Sequence, residues 1–342
     1  MANILVVRND KLGDFMLAWP ALSLLKSSYP ESRIIVLVPG YTRPLADICP
    51  WIDDVIIDTR GASTLGDAIS LSRQLRNAHI DESISLYSET RTALALWLAG
   101  IRQRFGPATK IAQLFLNKRL RQKRSQSAKP EFEYNTDLVR YFIDAHHDHA
   151  APLPGPPYLE FDSDTVNNER DEYIRLQNID ADSKLVLIHP GTGGSAINLS
   201  LQQFADIART LADSVRLHII ITAGPGELET ADALSGKLQG IAHSVYHSTQ
   251  GLVSFARFIA MGDLFISGST GPLHIAGALD VPTVAFYSAR RSATALRWQT
   301  LNSENNRMAF SPDAYQDESD MRRLDIKRCA EKIVRHYFGS TR

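Results

Sequence analysis

The chain has 342 residues, and a domain usually takes roughly 100–200, so two domains are expected, each long enough to bury its own core. Hydrophobic residues make up 44% and charged residues 22%, the balance of an ordinary globular protein, which excludes wholesale disorder. With 37 basic and 38 acidic residues the net charge is −1, so the molecule as a whole is no electrostatic binder of nucleic acid.

Ile4 to Val7 opens the chain as a short apolar strand; a helical pattern follows from Asp14 to Ser28, and Ile34 to Val38 is the next apolar run. Strand, helix and second strand within so short a span form a βαβ unit. Continuous rather than alternating apolar runs predict a parallel sheet covered on both faces. Val55 to Ile57 and Ser83 to Tyr87 continue the strands, with helical stretches at Leu65 to Ala78 and Arg91 to Leu98. Arg102 to Lys129 then holds Arg102, Arg104, Lys110, Lys118, Arg119, Arg121, Lys123, Arg124 and Lys129 without one Asp or Glu. Two readings stand: a solvated, partly disordered loop, or a surface for an anionic acceptor or membrane face, where each basic residue contributes about 1 kcal/mol.

Ala151 to Pro157 carries four prolines in seven residues, too many for a helix or central strand, and reads as a linker. Beyond it Leu185 to Ile188, Leu217 to Ile221, Leu264 to Ile266 and Thr283 to Phe286 read as strands. Leu201 to Leu211, Thr230 to Leu238 and Gly271 to Ala278 read as helices. The expected division is 1–157, 158–319 and a C-terminal helical segment, 320–342, packing back on the first half. No apolar run approaches the roughly 20 residues that span a bilayer, and Cys49 and Cys329 form neither a disulfide framework nor a zinc pattern. A cytoplasmic protein is expected, with peripheral contact at the inner membrane open.

In open α/β sheets ligands bind beyond the carboxyl ends of strands. Four such loops are unusual. Arg8-Asn9-Asp10-Lys11-Leu12-Gly13-Asp14 follows the first strand; Asp14 is placed either to cap the next helix or to act as a general base, since a free Asp, pKa about 3.9, is ionised at neutral pH. Arg8 and Lys11 are its partners or meet acceptor phosphates. His189 to Asn198 contains Gly191, Thr192, Gly193 and Gly194, whose free N–H groups and hydroxyl suit a diphosphate, although the loop is neither a Walker A loop nor the dinucleotide fingerprint. In Gly224 to Glu229, Glu227 either bonds ribose hydroxyls or favours a helix N-terminus. Ser267 to His274 ends small residues and hydroxyls, Ser269 and Thr270 among them, at a helix start with Gly271 and Pro272; His274 lies one turn inside. The second half would hold a nucleotide donor and the first would activate an acceptor.

The series Arg8-x-Asp10-x-x-Gly13-Asp14 with Pro20, then His189-Pro190-Gly191-Thr192, then Gly268-Ser269-Thr270-Gly271-Pro272-Leu273-His274, resembles family 9 of the glycosyltransferases, the ADP-heptose:lipopolysaccharide heptosyltransferases. The likeness implies an α/β protein of the GT-B architecture, two Rossmann-like domains with parallel sheets facing a central cleft. It implies an inverting, metal-independent transfer, without cofactor, from an ADP-sugar such as ADP-heptose to a lipopolysaccharide inner-core acceptor. It makes Asp14 the base and gives the donor Gly191, Thr192, Gly193, Gly194, Glu227, Ser269, Thr270, Gly271 and His274. Arg8, Lys11, Arg121, Lys123 and Arg124 fall to the acceptor. Two departures touch the donor pocket: the family carries a basic residue near Ala196 or Ile197, and Asp where Ser269 stands. Arg290 and Arg291 are placed to supply the missing charge. Two other functions fit the architecture: a nucleotide-sugar epimerase, which needs no acceptor, and a silent sugar-nucleotide binder, which transfers nothing.

Overall fold

The apolar runs become strands because parallel strands flanked by helices are buried on both faces. In the computed structural model, which describes residues 2–60, 64–194, 197–313 and 320–339, the chain divides into two compact units, 1–154 and 155–342. The first contains β1 (Asn3–Val7), β2 (Arg33–Val38), β3 (Asp54–Ile57), β4 (Glu82–Ser85), β5 (Gln103–Pro107) and β6 (Lys118–Leu120). The second contains β7 (Lys184–His189), β8 (Leu217–Ala223), β9 (His243–His247), β10 (Leu264–Gly268), β11 (Thr283–Phe286) and β12 (Arg307–Phe310). All pairings are parallel, in the orders β3-β2-β1-β4-β5-β6 and β12-β11-β10-β7-β8-β9.

Counted within each unit, both orders are the doubly wound one, in which strand order reverses between the first and fourth strands. The reversals fall between β1 and β4, registered Val6 to Ile84, and between β7 and β10, registered Ile188 to Ile266. Leu5, Val7, Ile188 and Ile266 are at most 1% exposed, so the sheets run through the two cores.

The eight strands read from apolar runs are present. β5, β6, β9 and β12 are additions, with sequences such as Gln103-Arg104-Phe105-Gly106-Pro107 and Lys118-Arg119-Leu120 that carry too few apolar residues to be seen. The basic stretch is therefore built around strands and two 3-10 turns, Ile111–Phe115 and Arg124–Gln126, which corrects the partly disordered reading. The helical pattern from Asp14 divides into Leu12–Met16 and Trp19–Ser28, the second with Pro20 in its first turn, where a missing N–H costs nothing. The break between units falls at 154/155 inside the proline segment, and Tyr158 and Leu159 already donate to Ala278 O in the second unit, at 2.7 and 2.9 Å.

The buried face of Ile326–Ile333, made of Cys329, Ala330 and Ile333, is spent in the second unit, where Cys329 and Ile333 share one core with Phe204, Leu211 and Met321. Among the described residues no helix is long and apolar enough to cross a membrane.

Ile333 is fully buried, so Ile333→Ala leaves a cavity worth about 2–5 kcal/mol. Urea unfolding followed through Trp298, which belongs to the second unit, should show that loss; a change below about 1 kcal/mol would remove the helix from the core.

Candidate functional site

The loops at the two order reversals are those that follow β1, β4, β7 and β10. Three of these carry the residues singled out in the sequence, after β1, β7 and β10.

After β1, Arg8 is 3% exposed, and a buried guanidinium must be paired. Nε lies 3.0 Å from Asp10 Oδ1, Nη2 pairs with Asp14 Oδ1, and Nη1 lies 3.2 Å from Glu131 Oε1. Nη1 also donates to Leu86 O beyond β4, at 3.2 Å, and to Asn135 Oδ1 at 3.4 Å. Asn135 in turn donates to Leu17 O at 3.0 Å, fastening the helix Glu131–Ala145 to the β1 loop. Burial opposes the Arg8 charge, but Asp10, Asp14 and Glu131 outweigh it and raise its pKa further. Asp10 is pushed up to about 7 by its own burial and by Asp14, with Arg8 opposing. Three carboxyls face Arg8, with Arg124 adding a second cation 2.6 Å from Glu131.

Asp14 sits in the first turn of Leu12–Met16, whose N-cap is Lys11, and its carboxylate turns to Arg8. The capping reading of Asp14 therefore gives way. Of the two readings of Arg8, partner of Asp14 or contact for acceptor phosphates, the geometry gives the first: it is buried and pairs with Asp14. Lys11, Arg121 and Lys123 are exposed. Arg124 is drawn inward to Glu131, to Leu86 O at 3.0 Å and over the Tyr134 ring at 5.7 Å, so it props the Arg8 cluster.

A second polar cluster at the same sheet edge escaped the sequence reading. Asn9 is 1% exposed and donates to Asp58 Oδ2 at 2.7 Å, beyond β3, and to Thr92 Oγ1 at 3.1 Å. Arg91 Nη2 reaches the same Asp58 oxygen at 2.5 Å, while Arg60 lies 3.4 Å from Asp58 and 3.3 Å from Glu89. Each is an isolated charge in the sequence; only the strand order makes them neighbours. Tyr41 adds an exposed hydroxyl, donating to Asp10 O at 3.2 Å.

In the second unit Glu227 joins two loops. Its Oε1 accepts from Gly193 N and its Oε2 from Gly224 N, both at 3.0 Å, so the carboxylate clamps the loop after β7 to the loop after β8. Although Glu227 is the N-cap residue of Leu228–Ser235, its side chain makes no cap bond. A Cβ on Gly191 would lie 2.3 Å from Glu227 Cδ, so glycine there makes room for the clamp. Gly193 and Gly194 have φ of +51° and +72°, and Thr192 Oγ1 accepts from Gly194 N at 3.2 Å. His189 Nε2 lies 3.4 Å from Glu227 Oε2, and burial lowers the pKa of this imidazole against the pull of that carboxylate.

After β10, Ser267 Oγ donates to His189 O at 3.1 Å and lies 3.0 Å from Thr270 Oγ1. Thr270 is the N-cap residue of Gly271–Ala278 and makes no side-chain cap bond. A Cβ on Gly268 would lie 2.5 Å from Asn198 Oδ1, and Asn198 Nδ2 donates to Pro190 O at 3.0 Å, so glycine lets the β7 and β10 loops meet. Ser269 is half-buried beside them. His274 is 2% exposed, and burial lowers its pKa to about 4; its Nδ1 has no hydrogen-bond partner among the described residues. Ile197 is half-buried, Arg290 and Arg291 are exposed on the loop after β11, and Ala196 lies outside the described residues.

Residues 68–328 match the model of glycosyltransferase family 9 (heptosyltransferase). The chain is 44% identical to a Haemophilus influenzae protein provisionally named a glycosyltransferase, over 92% of this chain and 90% of that one. It is 24% identical to the lipopolysaccharide heptosyltransferase 2 of Escherichia coli, over 83% and 82% of the two chains. The structure of the E. coli ADP-heptose lipopolysaccharide heptosyltransferase II matches with a TM-score of 0.76 at 20% identity, over 98% of each chain, which gives the GT-B fold. With a family model over most of its length and a relative at 44% identity, the chain belongs to glycosyltransferase family 9 and is a glycosyltransferase.

Proposed function

We propose that the protein transfers a sugar, heptose by kinship, from an ADP-sugar held by the second unit to a lipopolysaccharide-core acceptor held by the first, with inversion and without a metal. The relatives carry the substrate classes in their names, an ADP-heptose donor and a lipopolysaccharide acceptor. The observation that carries the chemistry is Asp14, a carboxylate at the order reversal of the first sheet, held by a buried arginine rather than spent on a helix cap.

In this mechanism the acceptor hydroxyl gives its proton to Asp14 as its oxygen attacks the anomeric carbon from the face opposite the diphosphate. The bond from that carbon to the diphosphate oxygen breaks, and the nucleotide diphosphate leaves with the electron pair. Backbone N–H groups of the first turn of Gly271–Ala278 take up the developing charge. Glu227 keeps the glycine loop in shape and is the nearest carboxylate for a ribose. Lys11, Arg121 and Lys123 meet acceptor phosphates.

Asp14→Asn removes the base and keeps the shape. Turnover of donor and acceptor should fall about 10²–10⁴-fold, with donor affinity within a few-fold, while the wild-type rate persists in excess chelator. A near-normal rate in Asp14→Asn would overturn the assignment. Product formed from the donor alone would mark an epimerase instead.

Glu227→Gln replaces a carboxylate that accepts two N–H bonds by an amide whose NH2 faces one of them. Loss of one of these bonds, about 1–2 kcal/mol, should weaken donor binding roughly tenfold in calorimetry and leave the structure folded. Unchanged affinity would separate the clamp from the donor site.

His274 also sets a pH dependence. Folded, it protonates only near pH 4; unfolded, near 6.5. Between those values the unfolded chain binds the extra proton, so stability falls as pH drops from 6.5 towards 4. Urea midpoints measured across that window should fall less steeply in His274→Leu than in the wild type; equal slopes would contradict the buried neutral imidazole.

A further inference from the structure

Large exposed apolar side chains gather at one place on the first unit. Ile111 is 66% exposed, Leu114 73% and Trp97 52%. Ile111–Phe115 is a 3-10 turn with three residues per turn, so Ile111 and Leu114 share one face. The opposite side is committed inward, where Ala112 and Leu116 are buried against Ala93 and Phe115 packs on them. The Phe115 ring lies 6.1 Å from the Trp97 ring, which puts Trp97 beside the same turn. Core packing accounts for Ala112, Phe115 and Leu116; it gives Ile111 and Leu114 no role.

Cations rim this apolar turn. From Thr90 to Pro130 the chain has ten Arg and Lys residues and no Asp or Glu. Lys110 directly precedes the turn, and Arg102 O accepts from Asn117 Nδ2 at 2.6 Å, two residues beyond Phe115. Arg76 Nη2 donates to Leu98 O at 2.8 Å, next to Trp97. Lys110, Arg102 and Arg76 are all exposed.

Aliphatic side chains at the centre, cations around them and a tryptophan at the margin match the layers of an anionic membrane surface, acyl boundary inside and phosphates outside. A second copy of this chain fits poorly, because a two-fold contact would press the basic rim against itself. We propose that the turn Ile111–Phe115, with Trp97 beside it, inserts into the headgroup region of an anionic bilayer while Lys110, Arg102 and Arg76 engage lipid phosphates. This goes beyond the transferase reading, and its test uses no donor or acceptor.

The full chain is sedimented with vesicles of phosphatidylcholine mixed with phosphatidylglycerol, and with phosphatidylcholine alone. Binding to the anionic vesicles should exceed binding to the neutral ones about tenfold or more and should weaken with salt. The double variant Ile111→Asp with Leu114→Asp, and separately Arg102→Glu with Lys110→Glu, should each lose that binding about tenfold while melting like the wild type, since all four side chains are exposed. Failure of the wild type to bind, or wild-type binding by the aspartate variant, would overturn the proposal. So would self-association of the wild type that the aspartate variant abolishes, which would assign the patch to a second copy. Transfer to a delipidated acceptor, measured in parallel, keeps the two readings apart: transfer without vesicle binding sinks only the membrane contact, and vesicle binding without transfer sinks only the substrate assignment.

Discussion

The first unit depends on one buried cation. Arg8 leaves the end of β1 at 3% exposure and meets Asp10, Asp14 and Glu131. Removing such a residue from its partners costs about 3–5 kcal/mol, because the carboxylates would be left buried without a counter-charge. The contacts also join three parts of the chain that are distant in sequence: the β1 loop, the β4 loop through Leu86 O, and the helix Glu131–Ala145. The carboxylate of Asp14 is thereby fixed by something that cannot move without disturbing the core.

The second unit solves the same problem with the opposite charge. An anion, Glu227, gathers the backbone N–H groups of Gly193 and Gly224, and glycine at 191 leaves it room. Both devices stand at the carboxyl edge of a doubly wound sheet, where loops diverge and need fastening. In the first unit the device presents a carboxylate. In the second it shapes the loop after β7 by taking up the N–H of Gly193.

Most of this was legible in the sequence where the physics is local. Apolar runs marked the inner strands, and the loops after β1, β7 and β10 stood out through their Gly, Asp and hydroxyl residues. What was missed depends on long-range pairing. β6 has one apolar residue, Leu120, and β5 only Phe105 before its Gly-Pro end; a neighbour's edge makes them strands. Asp58, Glu89 and Arg91 look like scattered charges until β3 and β4 place them around Asn9. Arg8 stayed open between partner of Asp14 and acceptor contact because burial is invisible in a polar loop. Glu227 was read as a cap or a ribose ligand because nothing local reveals that its side chain turns back to Gly193. The C-terminal helix poses a similar problem: its face of Cys329, Ala330 and Ile333 says that it packs, and not upon what.

The proposed donor site divides recognition between backbone and side chains. N–H groups of a glycine loop and of a helix start read a diphosphate through charge and spacing, and tolerate side-chain change as long as φ and close approach are kept. The choice of sugar then rests on the few side chains at the rim of the same loops. Here Ser269 presents a hydroxyl where the resemblance leads one to expect a carboxylate, and Ile197 is apolar where a cation is expected. A hydroxyl both donates and accepts, whereas a carboxylate only accepts, so the set of sugar hydroxyls that can be satisfied at Ser269 is different. Discrimination by buried polar pairing is steep, because a mismatched group is left desolvated without a partner. The diphosphate site can thus stay that of the family while the sugar preference shifts, and position 269 is where such a shift would be written.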